Sequence, residues 1–585
     1  MSSLPPWGLR SGTQTLLPPD GRPVASVTQQ REQTEVIHGE TCPIGGDHFF
    51  DHPGFLPAVF YSPPTGAREG KNHPRENSAR GKNYSPGEKK PDLAAKPPAQ
   101  PVTAIKTQPG KDITVDTPLY TAIFDTRGAR LKSWKVKNYL DKIGEGARPL
   151  DLAKENLSGG DPFGLEIIEA NFPFSPDSIF QVNTDSLKLG PQQTQGELVF
   201  TWNSPEGLQV SQRIVFHSDS YRVDLNLQIA NLSSRPLEGR PVFVWSGKVP
   251  ATSGGGMGCV PGSGNGSSAA VPPFTALVKK ELQEVEVSDL KDEKRFSQGV
   301  RWGGFQDTYF LAALVPQKSE GTELVMKKVS ETVAALRMAG PKASLQPQTQ
   351  FTQSYAMYLG PKDLDILKAF GSDLDRALDF GWFDVVAKPM LYVMKFFFKY
   401  TGNYGLAIIF LTVIIKILFW YPTHISYKSM KEMKKLQPEM ARLKEKFKDD
   451  REKLNKETMD LYRRYKVNPM SGCLPIAIQI PIFFALYKVL LYSIEIRHAP
   501  FYWWIQDLSA QDPYYISPIL MGASMFVQQW MTPTPGDPTQ AKMMLIMPVV
   551  FTFMFLTFPT GLVIYWLFNN LLSIGQQIYI NRQPA

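Results

Sequence analysis

The pattern of hydrophobic and polar positions divides the first two thirds of the chain into two parts. Residues 1–105 show no apolar periodicity and are rich in Pro, Gly, Ser and charged residues, a composition typical of disordered segments. Residues 106–370 contain short runs in which apolar and polar residues alternate, most regularly at 222–229. A period of two predicts half-buried β-strands, and the Gly, Pro, Asn and Asp residues between the runs predict turns. We therefore expect a disordered tail followed by a large all-β sandwich.

From residue 380 onward the apolar residues recur at helical spacing. At 380–400 they alternate with lysines in a way that predicts an amphipathic helix lying in a membrane interface, with an ordinary core helix as the alternative. Long apolar segments follow, and a bilayer core needs about 20 such residues per helix. The last two segments are separated by a break at Pro559. Five transmembrane helices are predicted, at 404–424, 468–493, 514–531, 543–558 and 561–580.

The distribution of charge predicts how these helices are oriented. The chain carries a net charge of +8. Lys and Arg are dense in residues 425–467, which are predicted to form a helical hairpin. The loop at 494–513 holds only one basic residue, Arg497. Because short basic loops stay in the cytoplasm, the hairpin, the loop at 532–542 and the C-terminus are predicted to be cytoplasmic. The β domain and the 494–513 loop are then predicted to lie on the outer side of the membrane.

The predicted fold class follows from these two halves. It is a multi-domain protein with an external all-β sandwich followed by a polytopic α-helical membrane domain with five core transmembrane helices. An exported β domain needs a signal or an anchor, and residues 1–105 contain no apolar run long enough for either. Either the predicted orientation is wrong or the native product carries an anchor that precedes the β domain, and we favour the second alternative.

Lys416 is the one charged residue between Tyr404 and Tyr421. It lies about 18 Å into the predicted helix, where a charge is costly unless it faces water or a partner. It either snorkels past Trp420 to the headgroups or lines a polar cavity. The cavity is favoured because Thr412 lies one turn earlier on the same face and the other spans carry polar groups. These groups are Gln479, Ser524, Gln528, Gln529, Asn569 and Asn570.

The predicted hairpin has a methionine-rich stripe on its first arm. Met430, Met433 and Met440 lie on this stripe. Methionine side chains adapt to varied partners, so we expect these three residues to contact other proteins. Packing of one arm of the hairpin on the other is the alternative.

Several motifs in the helical part resemble the YidC/Oxa/Alb family of membrane-protein insertases, in its Gram-negative form with a large periplasmic domain. They are NPMSGCLP at 468–475 with QIPIF at 479–483, the segment 499–515, FPTGL at 558–562 followed by Tyr565-Trp566, YKSM at 427–430 and LQP at 436–438. In the β domain the resemblance is looser and is best at WGGFQDTYF, residues 302–310.

The resemblance implies an insertase that moves membrane proteins into the bilayer through a hydrophilic groove. A basic residue, usually Arg, lies in that groove, and Lys416 falls at its position. Thr412 and Trp566 also align with groove positions. With the polar groups of the other spans, the expected groove residues are Lys416, Thr412, Gln479, Gln528, Tyr565, Trp566 and Asn569.

The resemblance also implies the partners of the protein. These are nascent membrane proteins, the Sec translocon, the ribosome and the lipid bilayer, with no specific nucleic acid. No catalytic residue, metal or cofactor is expected, and the cell inner membrane is the expected location.

Two other functions remain as alternatives. A secondary transporter or channel would show inverted repeats and helices broken near the midplane, and no repeat is visible. A sugar-active enzyme would need paired acid and base groups, but residues 106–370 hold one histidine, His217, without a recognisable partner motif. The sequence therefore predicts a protein that is not an enzyme.

Overall fold

A computed structural model describes residues 110–153, 163–248, 274–287, 290, 292–330, 333–448, 450–468, 474–532 and 538–583. The predicted tail at 1–105 lies outside these residues, as does most of the 468–475 motif. The strands and helices given below all belong to the described part of the chain.

The first half of the described chain is built from strands, in agreement with the alternating pattern. The strands are β1 Asp112–Asp116, β2 Tyr120–Asp125, β3 Arg130–Leu140, β4 Pro149–Asp151, β5 Gly164–Ile168, β6 Gln181–Val182, β7 Ser186–Lys188, β8 Gln195–Asn203, β9 Leu208–His217, β10 Arg222–Asn231, β11 Leu237–Lys248, β12 Phe274–Val278, β13 Glu281–Val285, β14 Glu293–Phe296, β15 Val300–Gln306, β16 Phe310–Pro316, β17 Glu323–Ser330, β18 Val333–Ala339, β19 Ala343–Leu345 and β20 Gln350–Pro361.

These strands form three sheets that pack into a sandwich. The orders are β4-β3-β2-β1-β7, then β13-β12-β15-β16-β20-β10-β9-β8-β6, then β14-β17-β18-β11-β19, with β5 also paired to β11. In β10 the residues Val223, Leu225, Leu227 and Ile229 are buried while their neighbours are more exposed, as the period-two pattern predicts. The all-β sandwich is confirmed.

The sheets are joined through a core of large aromatic side chains. Trp134 on β3 is fully buried, stacks on Tyr120 with ring centres 4.0 Å apart, and donates its indole N–H to the Leu359 carbonyl on β20 at 3.0 Å. Burying such a side chain contributes about 2–3 kcal/mol, and the hydrogen bond prevents the cost of an unpaired indole donor. This contact fixes the five-stranded sheet against the nine-stranded one.

The second half of the described chain is helical. The helices are α1 Leu364–Phe370, α2 Asp384–Thr401, α3 Tyr404–Leu418, α4 Trp420–Lys435, α5 Gln437–Lys446, α6 Arg451–Arg464, α7 Leu474–Tyr492, α8 Ile516–Met531, α9 Pro538–Phe555 and α10 Thr560–Arg582.

The boundaries of α2, α3 and α4 follow from local chemistry. Gly402 ends α2 in the left-handed conformation, with φ at 63°, and the Asn403 side chain caps α3 by accepting from the Leu406 N–H at 3.1 Å. Pro422 has no N–H to donate to the Leu418 carbonyl, so α3 ends there and α4 starts in a new direction. The predicted span at 404–424 therefore includes this bend.

The lengths and mean hydropathies of the helices bear on membrane crossing. In the described part of the chain, no single helix is both long and apolar enough to qualify as a span. The α3–α4 pair, bent by 66°, has the length and apolar character that a membrane span requires when its two helices are taken together.

The helices gather around α10. This last helix packs against α3, α4, α7 and α8, while α2 packs against α3 and α7, and α9 packs against α8. The side chains of α3 and α10 are therefore brought together although they are far apart in the sequence.

The β domain and the helical part meet at the 302–310 motif. Asp307 accepts from the backbone N–H groups of Tyr309 and Phe310, at 2.7 and 2.6 Å, and so shapes the turn between β15 and β16. The Arg497 guanidinium lies over both aromatic rings, 5.9 and 5.7 Å from their centres, and donates to the Leu140 carbonyl at 2.7 Å. The motif is thus a contact between the β domain and the segment that follows α7.

A second contact at this junction is a cluster of charges around Lys395 on α2. Its ammonium nitrogen lies 3.2 Å from an oxygen of Asp363, 2.5 Å from Asp365 and 3.2 Å from Glu495. Burial lowers the pKa of Lys395, but the hydrogen bond to Asp365 and the charges of Glu495 and Asp363 outweigh it, so the pKa lies above the ordinary lysine value. The lysine therefore stays charged and holds three segments together.

Candidate functional site

A stripe of polar side chains runs along the buried face of α10. The residues recur at steps of one, three and four, which places them on one side of the helix. Each is at most 4% exposed in an otherwise apolar helix, and the members are Asn569, Asn570, Ser573, Gln576 and Gln577. Buried polar groups are costly unless they are paired, so the partners of this polar stripe define what the site can do.

Lys416 reaches the middle of the polar stripe. Its ammonium group donates to the Ser573 hydroxyl oxygen at 2.7 Å, and the Ser573 hydroxyl in turn donates to the Asn569 carbonyl at 2.8 Å. Within the described residues Lys416 forms no ion pair with a carboxylate. A half-buried ammonium group with a neutral partner keeps most of its attraction for an incoming anion.

The other members of the polar stripe bind neighbouring helices. Gln576 donates to the Thr423 hydroxyl on α4 at 3.0 Å, and Asn570 donates to the Ser524 hydroxyl on α8 at 3.0 Å. Gln577 donates to the Thr532 hydroxyl, just beyond α8, at 2.9 Å. The stripe therefore links α10 to α4 and α8 by hydrogen bonds, in addition to the Lys416 contact with α3.

Some polar atoms of α8 and α10 have no hydrogen-bond partner among the described residues. They are the Gln577 carbonyl oxygen Oε1, the Gln529 amide nitrogen Nε2 and the Tyr565 hydroxyl. A buried polar atom without a partner costs about 1–3 kcal/mol, which water or a polar segment of another chain can recover. The site is accordingly suited to transient polar contacts rather than to a closed core.

The predicted groove residues do not all converge on Lys416. Thr412 is fully buried and donates to the Ile408 carbonyl at 2.7 Å, one turn back along α3. Asn569 belongs to the polar stripe, and its carbonyl is held by Ser573. Gln479 on α7 and Gln528 on α8 are partly exposed, and no side-chain hydrogen bond joins them to Lys416 in the described part of the chain.

Tyr565 and Trp566 lie in the half of α10 that precedes the polar stripe. Tyr565 is fully buried. Trp566 packs among Phe483, Phe551 and Phe555, with ring centres at 5.0, 6.2 and 5.2 Å. The Trp566 ring therefore contributes to an apolar aromatic cluster between α7, α9 and α10.

The methionines of the hairpin face inward. Met430 and Met433 are 5% and 4% exposed and pack with Tyr427, Tyr462 and Ile580, while Met440 is partly buried beside them. The geometry favours internal packing over partner contact for Met430 and Met433. The packing joins the first arm to the second arm and to the end of α10.

Sequence reasoning missed three members of the site, Ser573, Gln576 and Gln577, together with Thr423, which is the hydrogen-bond partner of Gln576. A signal was available, because five polar residues at helical spacing between 569 and 577 stand out in an apolar segment. Asn569 and Asn570 were predicted, and the same spacing continues over the next two turns to Gln577.

Comparison with known proteins gives matches over both halves of the chain. The family model described as 60Kd inner membrane protein matches residues 396–585, and the model of the YidC periplasmic domain matches residues 112–393. The membrane protein insertase YidC of Syntrophus aciditrophicus is 46% identical over 478 residues, covering 82% of this chain and 86% of the relative. That of Geotalea daltonii is 46% identical over 477 residues, covering 81% and 87%.

A solved structure gives a further likeness. The crystal structure of an active YidC insertase with its first transmembrane domain resolved covers 80% of this chain and 94% of its own, with 18% identity and a TM-score of 0.35. The two family models and the curated relatives together define an inner-membrane protein of the insertase class. Because this chain is 46% identical to curated relatives over most of both chains, it belongs to the YidC family of membrane protein insertases.

Membership settles the broad predictions made from sequence. The fold class, a β sandwich followed by a helical domain, is confirmed, and so is the assignment to insertases, which insert and fold membrane proteins and are not enzymes. The transporter or channel alternative finds no support among these relatives.

Proposed function

We propose that the polar stripe and Lys416 form the substrate groove of this insertase. The observation that carries the proposal is the Lys416 ammonium group bonded to Ser573, without a carboxylate partner among the described residues. An acidic or polar segment of a nascent membrane protein enters this site from the cytoplasm and pairs with the ammonium group. The pairing offsets part of the cost of moving that segment out of water.

The apolar part of the substrate then leaves along the surface of the helices. Large apolar side chains on α8 and α9 are exposed to the surroundings, among them Ile519, Leu520, Phe526, Val549, Val550 and Phe553. Exposed apolar faces of this size mark contact with lipid or with another protein. Transfer of the substrate helix from these faces into lipid is driven by burial of its apolar surface, about 25 cal/mol per Å². The membrane potential adds about 2.3 kcal/mol per charge per 100 mV.

We propose the following arrangement in the membrane. The β domain and the 494–513 loop are periplasmic, α2 lies in the outer interface, and the hairpin at 425–467 and the C-terminus are cytoplasmic. The five spans lie within the predicted ranges, and the first includes the bend at Phe419. The support is the charge asymmetry of the two loops and the exposed apolar side chains of α2, among them Val385 and Phe396.

The proposed partners are nascent membrane proteins, the ribosome and the Sec translocon. The hairpin carries many exposed basic side chains, which suit the negative charge of ribosomal RNA near a nascent chain. The proposed activity is tested by depleting the protein and following newly made small membrane proteins by protease accessibility. Restoration by a wild-type copy is expected, and normal insertion throughout depletion would contradict an insertase role.

Cysteine labelling tests the proposed topology. Single cysteines are placed at three exposed positions, Glu206 in the β domain, Gln506 in the loop after α7 and Asn455 on α6, in a chain whose native cysteines are replaced by serine. An impermeant thiol reagent added from the periplasmic side is expected to label positions 206 and 506 but not 455. Labelling of position 455 in sealed spheroplasts, with a cytoplasmic marker protein unlabelled, would show that the proposed orientation is wrong.

A further inference from the structure

A cavity of about 420 Å³ lies at the end of the bundle where α4, α8 and α10 meet. It adjoins the proposed groove at Gln577, but neither Lys416 nor Ser573 lines it. Its walls include Lys431, Lys434, Lys435 and Met430 from α4, Met531 from α8 and Gln577 from α10.

The charge of the cavity favours an anion. Lys431 donates to the carbonyls of Ile580, Asn581 and Gln583, at 3.3, 3.4 and 2.7 Å, and so neutralises the negative end of the α10 dipole. Lys435 lies 3.1 Å from Glu432, and Lys434 forms no ion pair within the described residues. After these pairings the cavity keeps an excess of positive charge.

Exposed aromatic residues mark the depth of the cavity in the membrane. Trp530, 77% exposed, directly precedes Met531 in the cavity wall. Tyr579, 54% exposed, follows Gln577 by two residues and lies 6.1 Å from the ring of Trp420. Trp and Tyr side chains exposed at the end of a helical bundle mark the level of the lipid headgroups. The cavity therefore lies where headgroup phosphates are found.

We propose that this cavity binds the phosphate of an anionic phospholipid headgroup. The ammonium groups of Lys434 and Lys435 pair with the phosphate, while Met430 and Met531 contact the apolar stem of the lipid. Basic pockets between membrane helices bind anionic lipids by this combination of contacts. The bound lipid bridges α4, α8 and α10 beside the end of the polar stripe. The assignment of this lipid to the cytoplasmic leaflet rests on the topology in the proposed function. The binding itself does not require insertion activity.

A lipid titration tests the proposal on the purified full chain in detergent. Short-chain phosphatidylglycerol and phosphatidylcholine are added separately, and bound lipid is counted by native mass spectrometry. Each lysine near a membrane surface contributes about 1 kcal/mol to binding an anionic lipid, so the double variant Lys434→Gln, Lys435→Gln is expected to bind phosphatidylglycerol about tenfold to thirtyfold more weakly. Binding of phosphatidylcholine is expected to be weak and unchanged.

Two further variants complete the test. The matched control Lys453→Gln, Lys456→Gln removes the same charge from α6 and is expected to change the phosphatidylglycerol affinity less than twofold. Lys434→Arg, Lys435→Arg is expected to retain binding, because it keeps both positive charges. An equal loss of phosphatidylglycerol affinity in the α6 control would show that the lipid is attracted by the overall charge of the protein, and would overturn the proposed site. Displacement of the lipid by an equimolar acidic substrate peptide would assign the cavity to substrate and equally overturn the proposal.

Discussion

Replacing Lys416 with alanine is expected to reduce insertion of substrates with an acidic translocated segment about tenfold, and to affect matched neutral substrates much less. Two unit charges 4 Å apart attract by about 4 kcal/mol at an effective dielectric constant of 20, and a tenfold effect corresponds to about 1.4 kcal/mol. The expected loss is thus a modest part of the available attraction. The measurement is insertion of two substrates that differ in one acidic residue, at equal amounts of insertase.

Substitutions at the same site separate charge from structure. Lys416→Arg keeps the charge and the approximate reach, so its activity and selectivity are expected to remain. Lys416→Glu reverses the sign and is expected to be the most harmful to acidic substrates. Ser573→Ala removes the hydrogen-bond partner but leaves the ammonium group, so discrimination between the two substrates is expected to persist.

The alternative role of Lys416 makes a different prediction. A lysine that only snorkels to the headgroups would tolerate alanine, and protein abundance would change more than selectivity. An equal loss for acidic and neutral substrates in Lys416→Ala would refute electrostatic capture, even if the residue proved essential.

The largest expected effect on structure comes from Lys395→Met. The Glu495 side chain is 6% exposed and the Lys395 side chain 22%, so removal of the lysine leaves a carboxylate buried without its cation. Breaking a buried ion pair by removing one partner costs about 3 kcal/mol or more. We expect the segment after α7 to open about a hundredfold more often, which is the factor that 3 kcal/mol represents.

The opening is measured at Ala499, which is 8% exposed and lies four residues after Glu495. In a chain whose native cysteines are replaced by serine, Ala499→Cys reports opening through its rate of reaction with a thiol reagent. Lys388→Met is the matched control, because Lys388 pairs only with Asp384 in the described structure, at 2.5 Å on the same helix. Its effect is expected to be below 1 kcal/mol, typical of a pair one helical turn apart.

A second substitution identifies the buried charge as the cause. Adding Glu495→Gln to Lys395→Met removes the unpaired carboxylate and is expected to restore much of the protection of position 499. If Lys395→Met accelerated labelling no more than Lys388→Met, the charge cluster would not hold this segment in place.

The sequence determined the features that depend on residues close together in the chain. Alternation at 222–229 fixed which side of β10 faces the core, because successive side chains of a strand point to opposite faces. Asn403 and Pro422 carry local signals for the start of α3 and for its end, since capping and a missing N–H act within one turn. The motifs of the helical half were sufficient to predict the family, which the comparisons then confirmed.

Only the tertiary structure decided which distant residues meet. Lys416 and Ser573 are 157 positions apart, and helical periodicity gives the face of each helix but not the face of the helix that packs against it. The same reason applies to Met433. Its apolar stripe is equally compatible with binding a partner protein, but in the structure the Met433 side chain packs inside the chain. The role of Tyr309, beneath Arg497 at the junction with the β domain, likewise depends on packing between segments that no local pattern connects.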